Sequence, residues 1–365
     1  MGNTNRKSRF VGVDLFAGAG GLSLGARLAG IDVRLAVETN PYAAATYARN
    51  HPGTRVIVDD VRNVKDVDVP KGDGISILFG GPPCQGFSTS NQRTRNSANE
   101  QNWLFLEFLR IARIWEPDWV VFENVRGIIE TEKGAFRDRV QKGLEDLGYT
   151  CSSGVLCAAD FGVPQVRSRF FLIASRHGVT VKFPTRTTRR HVTVRQAIGD
   201  LPDLENGADV DYLAYTRKAR SNYANSMRNG NLGCRNHLVT ASAPHIIKRY
   251  RHIPQGGNWE AIPERLMGNY KHLTRCHTGI YKRLREDEPS VVIGNFRKNM
   301  LIHPCQDRGL SVREAARLQS FPDWYVFEGS IGFQQQQVGD AVPPVLAEKV
   351  FGKIIERGAA AHDAS

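Results

Sequence analysis

Short apolar, β-branched runs alternate with stretches whose apolar positions recur every three or four residues through the first half of the chain. The runs Phe10–Leu15, Val33–Val37, Arg55–Val58, Ile75–Phe79, Asp118–Phe122 and Arg169–Ala174 read as strands. Between them Gly21–Ala29, Pro41–Arg49, Trp103–Trp115 and Ala135–Leu147 read as helices, and Trp103, Phe105, Leu106, Leu109, Ile111 and Ala112 give the third a broad apolar face. Such alternation predicts an α/β domain with a mainly parallel sheet. From about Thr185 the pattern degrades. Residues 185–300 are rich in Gly, Asn, Arg and Pro with short apolar pieces, which predicts a second, smaller, loop-rich domain. Helices return at Ser311–Gln319 and Pro343–Ile355. The expected division is residues 1–185, residues 186–300, and residues 301–365 returning to the first domain.

Composition narrows the class. The 365 residues are 41% hydrophobic, ample for a core, and hold no apolar run long enough to span a bilayer. The N-terminus, Met1-Gly2-Asn3-Thr4-Asn5-Arg6-Lys7, lacks the apolar stretch of a secretory signal, so a cytoplasmic protein is expected. Six cysteines without regular spacing suit free thiols in a reducing compartment. The formal net charge is +12, and residues 186–300, with 20 Lys+Arg against 10 Asp+Glu, carry +10 of it. A polyanionic partner for that segment follows, against the plainer reading of a solvated basic surface.

Two segments carry candidate chemistry. Gly80-Gly81-Pro82-Pro83-Cys84-Gln85-Gly86-Phe87-Ser88 presents one thiol in a Gly/Pro-stiffened loop behind a strand, as a nucleophile requires; a buried packing cysteine fits the same residues. Asp14-Leu15-Phe16-Ala17-Gly18-Ala19-Gly20-Gly21 puts glycines at a strand-to-helix turn, where a nucleoside-bearing cofactor can lie against backbone. The second strand ends in Glu38, placed to accept from two ribose hydroxyls, and the third in Asp59-Asp60, within reach of an adenine amine. The spacing FxGxGG differs from GxGxxG and no Lys-Ser/Thr follows, which favours S-adenosylmethionine over NAD or ATP. Cys234-x-x-His237 and His272-x-x-x-Cys276 have finger-like spacing, but the segment between lacks a compact pattern, so packing cysteines and polyanion-facing or solvent histidines are preferred and no metal is expected.

In order along the chain, the FxGxGG turn, PPCQGFS, Glu123-Asn124-Val125, Gln165-Val166-Arg167-Ser168-Arg169, Arg313-Glu314-Ala315-Ala316-Arg317-Leu318-Gln319 and Gln337-Val338-Gly339-Asp340-Ala341-Val342-Pro343 resemble the motifs of the DNA (cytosine-5) methyltransferases of prokaryotic restriction-modification type. The resemblance runs from residue 11 to about 350. It implies a Rossmann-like, mainly parallel sheet with residues 186–300 as target-recognition domain. It also implies methyl transfer from S-adenosylmethionine to carbon 5 of a flipped-out cytosine in double-stranded DNA. Cys84 is then the nucleophile, Glu123 the acid at ring nitrogen 3, Arg169 the contact to the cytosine carbonyl, and Arg167 its support or a phosphate ligand. Phe16 would meet adenine, Gly18 and Gly20 the methionine end, Glu38 the ribose, Asp60 and Val61 the adenine edge. Ser88 and Ser90 fall where the family has hydroxyls near the flipped nucleotide, in the polar stretch Thr89–Asn99 that reads as a closing loop. Thr39, Gln335 and Asp340 depart from the family pattern. A monomer without a long N-terminal extension, and a restriction endonuclease acting on the same site, are the expected state and partner. Two alternatives share the pattern: a tRNA cytosine-5 methyltransferase, whose branch has proline where Gly86 stands, and a non-catalytic DNA-binding relative, which would lack residues present here.

Overall fold

The computed structural model describes residues 10–72, 74–83, 103–130, 134–268, 279–294, 296–298 and 300–362, the last four by backbone alone. By packing it divides into two units: residues up to 157 with 168–186 and 344 onward, and residues 158–167 with 187–343. The second unit thus takes in 158–167 and 301–343 as well as most of the segment expected to stand apart.

The first unit is built on one seven-stranded sheet, in the order β3-β2-β1-β4-β5-β7-β6. The strands are β1 (Phe10–Leu15), β2 (Asp32–Glu38), β3 (Arg55–Val58), β4 (Ile75–Gly80), β5 (Trp119–Val125), β6 (Thr150–Cys157) and β7 (Ser168–Ser175). The first five run parallel, and β7 lies antiparallel to both β5 and β6. Strands β1 and β4 are buried along their whole length and β5 all but its last residue, as sheets covered on both faces require, and that continuous burial is why their sequences read as unbroken apolar runs. Helices α1 (Gly21–Leu28) and α2 (Pro41–Asn50) follow β1 and β2, and α3 (Leu104–Trp115) and α4 (Ala135–Glu145) follow β4 and β5. Phe105 and Phe108 of α3 and Phe136, Val140 and Leu144 of α4 pack with Val11, Val13, Leu78, Val120 and Phe122 into one core. Asn40 caps α2, its side chain accepting from the amides of Tyr42 and Ala43 at 2.9 and 3.1 Å ahead of Pro41.

In the second unit lie α5 (Val194–Ile198), β8 (Tyr212–Ala214), α6 (Asn222–Arg228), β9 (Gly233–Arg235), α7 (Pro244–Tyr250), α8 (Val312–Leu318) and α9 (Ile331–Asp340); α10 (Pro344–His362) belongs to the first. A Cβ on Gly25 of α1 would sit 2.4 Å from Ala347 Cβ and 2.7 Å from the Pro344 carbonyl of α10, so that glycine is what lets the two helices touch. On the same face of the sheet Phe351 meets Phe79 edge-on at 5.0 Å.

Much of the second unit is held by buried arginines. Ser311 and Glu314 form a capping box on α8, and Glu314 receives Arg308 through both oxygens at 2.6 and 2.9 Å. Arg317 bonds Asp323 and Asp200, and Arg283 donates to the carbonyls of Tyr250, Ile253, His303 and Gln306 and to Asp307. His237 uses both ring nitrogens, on Ser311 Oγ at 2.8 Å and the Pro202 carbonyl at 2.9 Å, which leaves none to ligate a metal; His272 and Cys276 lie outside the described residues.

Candidate active site

At the carboxyl edge of the sheet, where the strand order turns between β1 and β4, the ends of several strands converge on one crevice. Glu123 on β5 lies opposite Phe171, and Arg169 on β7 lies opposite Val125. Residues two apart on a strand share a face, so Arg169 stands diagonal to Glu123 on the same face, a span its long side chain covers. Arg169 Nε meets Glu123 Oε1 at 2.8 Å, with both residues buried, at 7% and 6% exposure. An ion pair this dry is expensive to break from one side.

The segment leading to Cys84 is fixed from the same strand. Asn124 Nδ2 donates to the Pro82 carbonyl at 3.0 Å. Gly81 passes so close to Glu123 that a Cβ there would fall 2.5 Å from Oε2. Gly80 is closer still to backbone, its notional Cβ 2.1 Å from the Leu15 carbonyl oxygen. The two glycines therefore answer to contact within the protein, where the sequence reading had them stiffening a loop that presents the thiol. Cys84, Ser88 and Ser90 lie outside the described residues.

Beside this edge is the glycine turn. Phe16 (φ 59°), Gly18 (φ 55°) and Gly20 (φ 85°) are left-handed, and a side chain at Gly18 would meet nothing within 4 Å, so the turn borders open space. Phe16 has a Cβ and holds this backbone nonetheless, a cost of the kind seen at binding sites. Glu38 is fastened at the end of β2, Oε2 accepting from Gly18 N and Oε1 from Asn40 N, each at 2.7 Å. Carboxylate oxygens accept twice, so this orientation still serves a diol. Asp60 caps the turn at Val61–Asn63 and takes Arg62 on both oxygens, at 3.0 and 2.7 Å, and the Arg62 bond holds its carboxyl below the usual range. The donor set and open turn fit S-adenosylmethionine: a phenyl face at Phe16, a carboxylate at Glu38, backbone at Gly18 and Gly20, and Asp60 with Val61 at the far edge.

Beneath the turn runs a buried relay that motif spacing does not disclose. Tyr47 Oη donates to Ser23 Oγ at 2.6 Å, and Ser23 donates to Asp14 Oδ2 at 2.6 Å. Burial pushes the Asp14 carboxyl well above its ordinary value despite the Ser23 bond, with Glu38 adding to the rise. Its one legible signal is an aspartate inside an otherwise apolar strand.

Arg167 is not brought to the Glu123–Arg169 pair within one unit. It belongs to the second, is 2% exposed, and donates to the Gly339 carbonyl of α9 at 2.8 Å. A guanidinium this buried braces the last motif. Gln165 braces the same region, its amide bonding the Leu318 carbonyl, Gln319 Oε1 and Ile293 N.

Charge in the second unit is also redistributed by pairing. Arg228 bonds Asp200 at 2.7 Å, Arg235 bonds Asp211 at 2.6 Å, and Arg195, Arg217 and Arg285 pair with Glu286, Asp203 and Asp287. Arg249 and Arg283 are buried on carbonyls. Arg190, Lys218, Arg220, Lys248, Arg265 and Arg297 are exposed cations outside these pairs. These pairs match cations with acids of the same segment and leave its net +10 unchanged, whereas Arg249 and Arg283 are withdrawn from the surface.

Comparison with known proteins matches this geometry to a family. The family model for C-5 cytosine-specific DNA methylases matches residues 10–356. The Type II methyltransferase M1.HphI of Haemophilus parahaemolyticus is 36% identical, over 94% of this chain and 86% of its own. M.DdeI of Desulfomicrobium norvegicum is 32% identical, over 94% and 88%. Among solved structures, a DNA modification methyltransferase encoded within an E. coli prophage superposes with a TM-score of 0.77 at 25% identity, covering 95% of this chain and 99% of that one.

Proposed function

The chain belongs to the C-5 cytosine-specific DNA methylase family, and from that premise we propose how its own residues divide the work. The reaction is transfer of a methyl group from S-adenosylmethionine to carbon 5 of cytosine in DNA. The cofactor supplies an electrophilic methyl group. Carbon 5 of cytosine is too weak a nucleophile to take it unaided.

Cys84 thiolate adds to carbon 6, and the electron pair of the carbon 5–carbon 6 double bond moves toward ring nitrogen 3, where Glu123 delivers a proton. Carbon 5 of the resulting enamine takes the methyl group. Loss of the carbon 5 proton to solvent then expels the thiolate, ring nitrogen 3 returns its proton to Glu123, and the ring is restored. Arg169 orients Glu123 through the 2.8 Å contact and faces the cytosine carbonyl, where negative charge develops. Glu38 holds the ribose, Phe16 the adenine face, Gly18 and Gly20 the methionine end, and Asp60 with Val61 the adenine edge. Because carbon 6 is inaccessible in a stacked duplex, the target base is rotated out of the helix, with Ser88 and Ser90 beside it. The second unit reads the DNA sequence through exposed residues of 186–300. The protein acts as a cytoplasmic monomer on double-stranded DNA, alongside a restriction endonuclease of the same site.

The observation that carries this reading is the buried Glu123–Arg169 pair set against Gly81 and the Pro82 carbonyl, immediately before the nucleophile segment. The test is Cys84→Ser. Methyl transfer is expected to vanish while S-adenosylmethionine and DNA binding persist, and wild-type protein is expected to form a denaturation-resistant adduct with duplex carrying 5-fluorocytosine at the target. Normal methylation by the serine variant, or no adduct with wild type, rejects the mechanism.

A further inference from the structure

The second unit encloses a cavity of about 250 Å³ that plays no part in the reaction above. Its lining includes Ile246 and Tyr250 of α7 and Phe296, with Thr240, Ser242, Gln335 and Arg297 among its polar groups. Gln335, in α9, is 5% exposed; Nε2 donates to Thr240 Oγ1 at 3.0 Å, while Oε1 is buried with no hydrogen-bond partner among the described residues. A buried amide oxygen without a donor is costly, and native proteins rarely leave one so. Arg297 is exposed on the rim, its Nη1 3.4 Å from where a Cβ on Gly332 would lie. Met300, also at the cavity, holds a left-handed backbone (φ 50°).

These features specify an occupant. The volume is below that of pockets for drug-sized molecules and suits a single ring system. Apolar side chains line the space, Tyr250 and Phe296 nearly buried within its wall, Oε1 demands an N–H donor, and the guanidinium at the mouth suits a ligand attached to phosphate. DNA is the family's substrate. We propose that the cavity receives one nucleobase of the recognition sequence other than the methylated cytosine, a base with an exocyclic amine, adenine or cytosine, whose amine donates to Gln335 Oε1 while Arg297 takes the adjoining phosphate. The cost of unstacking that base is offset by the relieved amide and by the phosphate contact to Arg297. The inference rests on the reading of the second unit as the one that reads sequence.

The experiment first maps the methylated site of wild-type protein by bisulfite sequencing. Single-turnover methylation is then measured for wild type, Gln335→Leu and Arg297→Ala on duplexes carrying each base in turn at every other position of the site. Gln335→Leu is expected to lose about ten-fold of discrimination at one position, where wild type prefers adenine or cytosine, and to keep its preferences elsewhere. An abasic unit at that position should bring wild type and Gln335→Leu to the same rate. Arg297→Ala, on the exposed rim and so without consequence for folding, should slow methylation of every duplex carrying a base there, and lose that effect on the abasic duplex. In the wild-type complex the partner of the inserted base should react with a single-strand probe, permanganate for thymine or kethoxal for guanine. Uniform loss across positions, unchanged discrimination, or an unreactive partner base overturns the inference and leaves the methylation reaction standing. Absence of any methylation by wild type would instead remove the functional reading beneath it.

Discussion

Replacing Gly81 by alanine tests the active-site geometry at one atom. The added Cβ would fall 2.5 Å from Glu123 Oε2, and the next nearest atoms, Glu123 O and Cδ, are at an unobjectionable 3.6 and 3.7 Å. Gly81 is not left-handed, so alanine brings no backbone strain, and its smaller unfolded-state entropy stabilises by about 0.4–1 kcal/mol. The whole penalty falls on the carboxylate, which must retreat by about 0.5–0.9 Å to reach 3.0–3.4 Å. It cannot retreat freely, because Arg169 Nε holds its other oxygen at 2.8 Å. A misplacement near 1 Å at a proton-donating group costs on the order of 10²-fold in rate. Single-turnover methylation by Gly81→Ala should therefore fall by roughly 30- to 100-fold. S-adenosylmethionine affinity by calorimetry should hold within about two-fold, and the urea midpoint should correspond to within about 1 kcal/mol of wild type. Gly80→Ala is the contrasting control: its Cβ would strike the Leu15 carbonyl at 2.1 Å, so that variant should lose stability rather than rate alone. Wild-type turnover in a folded Gly81→Ala protein would refute the idea that the position of this carboxylate sets the rate.

Three further outcomes are expected. Glu123→Gln should slow single-turnover methylation far more than it weakens DNA binding in gel shifts, since an amide cannot pass a proton to ring nitrogen 3; equal losses in both would make Glu123 a structural residue. Glu38→Ala should weaken S-adenosylmethionine binding by about 1.5–3 kcal/mol in calorimetry, because the ribose loses a charged acceptor and Gly18 N and Asn40 N lose theirs; unchanged affinity would reject the assignment. His303 is pushed down to about 4 by burial, with Arg308 and Arg283 adding to the fall and Glu314 opposing it, and its Nδ1 accepts from the amides of Cys305 and Gln306. A histidine depressed in the folded state contributes no penalty above its unfolded value near 6.5 and costs progressively more as pH falls from there to about 4, on the order of 3 kcal/mol in all. Urea melts at pH 8 and pH 5 should show about 2 kcal/mol of that loss in wild type and a smaller one in His303→Gln; identical pH slopes would contradict it.

The sheet was legible because its central strands are buried on both faces, which leaves unbroken apolar runs such as Ile75–Phe79 for the sequence to display. Strand β6 was not. It lies at the sheet edge with most of its Thr, Ser and Cys side chains half-exposed, so neither alternation nor an apolar run marks it. Helix α9 was missed for a different reason: beside Val338 and Gly339 it buries Gln334, Gln335 and Gln337, whose amides donate to Gly329 O, Thr240 Oγ1 and Glu328 O, and a hydrophobic pattern does not register buried amides. Glu123 was legible as a strand-end carboxylate and Arg169 as its motif partner. The diagonal that joins them depends on β7 running antiparallel to β5, which no local spacing reveals. Arg167 sits two residues from Arg169 in a motif that looks continuous, yet the chain passes from one unit to the other between them. A count of lysines and arginines also does not show which cations, such as Arg228 and Arg283, are engaged internally.

The contact between Gly25 and the Pro344–Ala347 turn of α10 has a consequence for the order in which the enzyme is made. The helix that opens from the cofactor turn is finished early in synthesis, but the surface that covers it is translated about 320 residues later. At 5–20 residues per second that is an interval of roughly 16–64 s during which the outer side of α1 has no cover. Closing so long a loop is also the slowest kind of contact to form, whatever its final strength. Until Pro344–Ala347 emerges, that side of α1 faces solvent, and it is where a chaperone would find its hold on the growing polypeptide.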